Sequence, residues 1–226
     1  SATTQADYQD LPDGGEIMGL TGGEFGLVFQ ESAIRRMSYE GVPTVFRFDK
    51  IADQIGATIP GSVVGWGDRS FFCHRHGFHM VLGGQTLVPI GHDKVDRWFW
   101  SNLDEDYISR VTAAIDPVNK LYVVSFPSTS ATLGTPDTLL MYQWEAQRWS
   151  SAIVTAEMIY AALKQTGYTL EELDAFGTID TLLYSLDSNV WQGIKNFLLG
   201  GFYTDHTFGA FTGSNLAAQV DTGDIQ

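Results

Sequence analysis

The sequence predicts a mainly β fold made of antiparallel sheets of about four strands each, and three observations predict it. Apolar and polar residues alternate at period two through most of the chain, the pattern of strands that bury one face. Gly, Pro, Asn or Asp breaks this alternation every eight to twelve residues, the spacing of a meander. The runs so bounded fall into groups of about four that recur at roughly 40 to 50 residues, as blades of a β-propeller or partial propeller do. A β-sandwich with helical insertions is the alternative arrangement of the same strands.

After a polar opening, the first group holds strands at 17–21, 25–30, 33–39 and 44–50, joined by the short connections GGE, ES and EGVP. The linker IADQIGATIPG leads to a second group at 62–66, 70–74, 78–82 and 86–90. A third follows at 111–115, 120–126, 138–144 and 149–155, with DPVN as a type I turn because Pro117 presets φ. Its middle connection, Ser128 to Asp137, reads as an exposed polar loop. Helical insertions are expected near 94–108, where Trp98, Phe99 and Trp100 form a packing cluster, and at 155–176. In the latter, Thr169 and Glu172 fit a capping box, and Leu170, Leu173 and Phe176 recur at helical spacing. A partial fourth group closes the chain at 197–203, 207–211 and 216–225, giving one β-rich domain over 1–226. A first residue that is Ser rather than Met suggests a processed product or a segment of a longer chain.

With 226 residues and 44% apolar content the chain has enough material for a sizeable core. Its net charge of −14 argues against a phosphate-binding surface, which needs clustered Lys and Arg. A single cysteine, Cys73, excludes an internal disulfide framework. Apolar runs such as NFLLGGF are too short to span a bilayer, so no membrane role is expected.

The densest chemistry lies in SFFCHRHGFHMVLGG, where Cys73, His74, His76 and His79 fall within seven residues. Read as a hairpin with His76 and Gly77 in the turn, the register pairs Arg75 with Phe78, His74 with His79, and Cys73 with Met80. Phe72, His74, His79 and Val81 then share one face, and Phe71, Cys73, Met80 and Leu82 the other. A zinc site wants three or four convergent ligands. This register supplies two, and a third would have to come from elsewhere, for example His92, Asp93 or His206, with no spacing in the sequence to support it, so no metal site is expected.

The carboxylates Asp104, Glu105 and Asp106 read as first-turn acids of a helix, rather than a glycosidase pair. The DTGD string at Asp221 to Asp224 lacks the second copy and apolar flanks of an aspartic protease. No nucleophile elbow, Walker loop, metalloprotease helix or calcium loop occurs in the sequence. Trp144 and Trp149, at strand ends, read as filling between sheets. The expectation is therefore no catalytic residue, no cofactor and no enzyme.

The segments GGEFGLVFQESAIRRMSYEG, PGSVVGWGDRSFFCHRHGFHMV, VPIGHDKVDRWFW and AIDPVNKLYVVSFP resemble a family of virion proteins of tailed bacteriophages and prophages. The resemblance runs from TQADYQDLPDGG to FTGSNLAAQVDTG. It implies a tail or neck component, similar to podophage tail-tube or nozzle proteins that contain a β-propeller, with a family pattern that continues upstream of Ser1. It carries no catalytic residues. The expected role is a structural component of the tail tube, nozzle or head–tail connector. Its partners would be other copies in a ring and neighbouring tail, neck or fibre proteins, with genomic DNA passing unbound. A receptor- or glycan-binding propeller module, suggested by the tryptophans and the 128–137 loop, and a propeller glycoside hydrolase are the alternatives.

Overall fold

A computed structural model describes residues 10–41, 45–163 and 197–211. The first sheet is a meander of β1 (Ile17–Thr21), β2 (Gly26–Gln30), β3 (Ala33–Tyr39) and β4 (Phe46–Asp53). The second is β5 (Val64–Trp66), β6 (Arg69–His74), β7 (Gly77–Leu82) and β8 (Thr86–Pro89). The third is β9 (Thr112–Asp116), β10 (Leu121–Phe126), β11 (Thr138–Gln143) and β12 (Arg148–Ile153). Every neighbouring pair is antiparallel and consecutive in sequence. The fold is thus mainly β, and each of the first three expected groups forms one four-stranded sheet.

The fourth sheet departs from expectation at its start. It has the order β13 (Met158–Leu163), β14 (Phe197–Phe202), β15 (Phe208–Ala210). Residues 158–163 were expected to be helical and are a strand. Their alanines favour a helix locally, but Met158 to Leu163 pair residue for residue with Phe202 to Phe197, a partner far away in sequence. Ile159 meanwhile packs with Ala114, Val123 and Leu139 of the third sheet. The remainder of that expected helix, with the Thr169–Glu172 box, and the expected strand 216–225 lie outside the described residues. The other insertion is helical, as α1 (Asp96–Asn102) and a 3-10 turn over Glu105–Arg110.

The sheets stack in chain order because their strands are apolar on both faces. Leu27, Phe29 and Ile34 of the first sheet meet Phe72 and Val81 of the second. The opposite face of the second sheet, with Phe71, Cys73 and Phe78, meets Ile115, Tyr122, Val124, Phe126, Leu140 and Tyr142 of the third. Phe71 and Tyr122 stack there at 4.8 Å, and Phe99 of α1 closes the same cluster against Phe78, also at 4.8 Å. Ala114, Val123 and Leu139 on the far face of the third sheet receive the fourth. The first strands of successive sheets touch, β1 with β5, β5 with β9, and β9 with β13.

The linker between the first two sheets binds three of them together. Ala57 N–H donates to Gln30 O and Thr58 N–H to Cys73 O, both at 2.9 Å. Ser62, fully buried, accepts from Cys73 N–H at 2.8 Å through its hydroxyl, and its carbonyl accepts from the Tyr122 hydroxyl at 2.9 Å. Buried polar groups in this seam therefore have partners, which is the condition for burying them at all.

Candidate functional site at the histidine hairpin

The β6–β7 hairpin turns at Arg75 and His76, one residue earlier than the sequence suggested. Cys73 pairs with Phe78, His74 with Gly77, and Phe72 with His79. The reason is Asp96. Phe78 N–H donates to Asp96 Oδ1 at 3.0 Å, and a Cβ on Gly77 would lie 1.9 Å from Asp96 Oδ2. Gly77 is thus required beside the carboxylate, with φ +125°. Moving the turn by one residue shifts each cross-strand partner by two, His74 from His79 to Gly77, so side-chain parity is preserved and the expected faces hold. Phe72, His74, His79 and Val81 point toward the first sheet, and Phe71 and Cys73 toward the third.

His74 and His79 are both buried. His76 N–H donates to His74 Nδ1 at 3.3 Å, which leaves the His74 proton on Nε2. His79 Nδ1 lies 3.0 Å from Gly77 O, and a carbonyl can only accept, so this nitrogen carries the His79 proton. Burial holds the His74 pKa down to about 4, with His76, His79 and Arg75 adding charge repulsion. Burial lowers His79 as well, opposed by its bond to Gly77. Both imidazoles are neutral at physiological pH. Cys73 lies on the opposite face, fully buried, with its thiol pushed well up by desolvation.

The rings of His74 and His76 are 5.0 Å apart, and those of His74 and His79 6.0 Å. Among the described residues no three His, Cys, Asp or Glu side chains are placed to hold a metal ion. His92 pairs with Asp93 at 3.2 Å on the exposed loop before α1, and His206 sits beside Phe202 in the turn between β14 and β15.

Two cavities flank the turn, and His76 lines both. One, of about 530 Å³, is bounded by His74, Arg75, Glu31, Gln54 and Thr58 at the seam between the first two sheets. The other, of about 680 Å³, lies between the turn and α1, lined by His92, Asp93, Asp96, Arg97 and Trp98. Burial raises the Asp96 carboxyl, with the Phe78 N–H pulling it back. Neither Asp96 nor Arg97 stood out in the sequence. The usable signal is a pair of glycines, Gly77 after His76 and Gly91 before His92, since both abut the Asp96 carboxylate.

The remaining candidates make local contacts in the fold. Asp104 accepts from Asp106 N–H at 3.2 Å and begins the 3-10 turn, with Glu105 and Asp106 in its first turn as expected. Trp144 and Trp149 pack on the core between the second and third sheets, and Trp149 donates to Ile90 O at 2.8 Å. The 128–137 loop is more anchored than its composition suggests. Asp137 accepts from the Ser128 N–H at 2.9 Å and hydroxyl at 2.8 Å, which leaves Leu133 projecting at the tip. Asp221 and Asp224 lie outside the described residues. No helix among the described residues is long and apolar enough to cross a membrane. Compared with known protein families and with curated proteins, the chain matches no family model and no curated sequence.

Proposed function

We propose that this chain is a structural protein of a tailed-bacteriophage virion, a component of the tail tube, nozzle or head–tail connector through which DNA leaves. The observation that carries the reading is that, among the described residues, the first and fourth sheets each leave large apolar side chains exposed on the face turned away from the stack. That of the first sheet is covered in part by residues 11–15 over Gln30 and Arg35. On the first sheet, Leu20 is 68% and Tyr39 73% exposed, and Tyr39 packs edge-on to the exposed Phe46. On the fourth sheet, Phe208 is 72% exposed and contacts Tyr160 and Phe202. Surfaces of this kind mark interaction sites. The sheets read as blades of a partial propeller whose first strands lie toward the axis, and a further blade would fit each end.

The occupant we assign is a second copy of this chain, its first sheet seated on the fourth sheet of its neighbour. That contact uses different patches on the two partners, so it propagates head to tail, and the ring we assign requires the rotation between copies to close. The first strands β1, β5, β9 and β13 contribute one carboxylate among them, Asp116, and it is engaged by Val118 and Asn119 N–H. In that ring the first strands face the common axis and bring little charge to it, so the acids expected along a DNA passage are assigned to the loops at the strand ends rather than to the first strands. An acidic wall repels phosphate and lets the genome slide.

Electron microscopy of the native particle tests the proposal. The chain is expected in a ring around the tail passage, beside neighbouring tail, neck or fibre proteins. A peripheral position without a ring, or a passage lined mainly by Lys and Arg, overturns it. Further residues of a longer chain on both open faces would overturn the copy-to-copy contact.

A further inference from the structure

We propose that the cavity between the Arg75–His76 turn and α1 binds a neutral saccharide, with Trp98 as the platform on which a sugar ring stacks. The inference holds whether or not the chain assembles into a conduit, because it rests on this cavity alone.

Four features converge there. At about 680 Å³ the cavity falls in the range that takes small ligands, roughly 300–1,000 Å³. Trp98 stays 40% exposed at its wall while its ring packs edge-on to Phe126 at 6.1 Å, so an apolar plane is held in place and open to ligand. Trp100 and Trp149, by contrast, are packed against the core. An exposed, fixed indole matches the apolar C–H face of a pyranose and sacrifices little side-chain freedom on binding.

The polar groups are the second half of the argument. Asp96 is pinned by its bond to Phe78 N–H through Oδ1 and by the close approach of Gly77 and Gly91. His92 and Asp93 hold each other at 3.2 Å. Arg97 adds a forked donor and His76 an imidazole on the facing side. Planar carboxylate, guanidinium and imidazole groups around one indole can donate to and accept from adjacent hydroxyls. The mixture of signs selects among ligands. Two carboxylates oppose an anionic ligand, two basic side chains, Lys94 and Arg97, oppose a cationic one, and a neutral hydroxyl-rich molecule satisfies both sets.

The test is a printed array of neutral and acidic oligosaccharides, followed by titration of the best-binding neutral glycan monitored by saturation-transfer NMR. Saturable binding to a neutral glycan is expected. Trp98→Ala should weaken it at least tenfold, Arg97→Ala several-fold, and Trp98→Phe by less than Trp98→Ala, because an aromatic plane remains. Trp66→Ala, which removes an exposed indole on β5, should leave affinity unchanged. Arg97 is exposed, so its variant reads the site even where Trp98→Ala impairs folding. The proposal is overturned by an array with no saturable neutral binder, by binding confined to acidic glycans, or by affinity that survives both Arg97→Ala and Trp98→Phe unchanged.

Discussion

A methyl group placed on Gly77 would meet the Asp96 carboxylate at 1.9 Å, and the backbone there has φ +125°. Gly77→Ala is therefore expected to lower the unfolding free energy by about 2–4 kcal/mol, through steric overlap and backbone strain together. In an Asp96→Ala background the same substitution should cost less, because only the backbone part remains. Equal costs in urea titrations of the two backgrounds would rule out the contact. His74 gives a second residue-scale prediction. Its folded pKa is about 4 against 6.5 for a free imidazole. The unfolded chain therefore binds the extra proton first as pH falls. The stabilisation is full above pH 6.5 and is lost as pH drops toward 4, by about 3 kcal/mol at most. His79, lowered by burial, acts in the same direction. Asp96, raised by burial, acts oppositely, since its folded form holds a proton that the unfolded form has released. Subtracting the profile of His74→Gln from that of the unaltered protein isolates the term, and a flat difference between pH 4 and 6.5 would refute it. That cysteine and histidines face opposite ways was legible in the sequence from alternation alone. The position of the turn was not, because the Asp96 contact that sets it comes from another element.

The second and third sheets are packed on both faces, and the two share the largest cluster. Phe71, with no exposed surface, stacks on Tyr122 within it, so Phe71→Ala should cost about 3–5 kcal/mol. Tyr122→Phe preserves the ring but strands the Ser62 carbonyl that accepted its hydroxyl, and should cost about 1–2 kcal/mol. Thermal or chemical denaturation reads both, and a smaller loss for Phe71→Ala than for Tyr122→Phe would contradict the packing hierarchy. Strand β13 shows the limit of element-level reading. Local propensity favoured a helix for an alanine-containing segment, while a sheet edge and an apolar seam elsewhere in the chain made it a strand.

At the scale of the whole molecule, the expected association depends on the two open sheet faces. Leu20→Asp or Phe208→Asp should each abolish self-association seen by sedentation velocity at high protein concentration, while leaving the fold intact because both side chains are largely solvated. Unchanged association in both variants would place the contact elsewhere. The charge distribution leads to a separate expectation. Several of the cations already have carboxylate partners, Arg35 and Lys50 with Asp13, Arg47 with Glu40 and Asp49, and Lys120 with Glu145. The chain as a whole carries a net charge of −14, so carboxylates outnumber the cations that phosphate would need. Duplex DNA should not bind at physiological salt, as an electrophoretic mobility assay can show, and a tight complex would contradict the conduit reading.

The sequence by itself determined the class of fold, the membership of the first three sheets and which side chains face which way, because a strand's two-residue period and its glycine and proline boundaries are local properties. It also located the histidines on a hairpin. Only the tertiary structure decided that residues 158–163 join the fourth sheet, that the hairpin turns at Arg75 and His76, and that His76 of the hairpin shares one cavity with His92, Asp96 and Trp98. Each of these depends on groups far apart in the chain, Met158 to Leu163 against Phe202 to Phe197 and Asp96 against Gly77 and Phe78. A contact of that kind is made when sheets and linkers pack, and it leaves no period in the sequence to read.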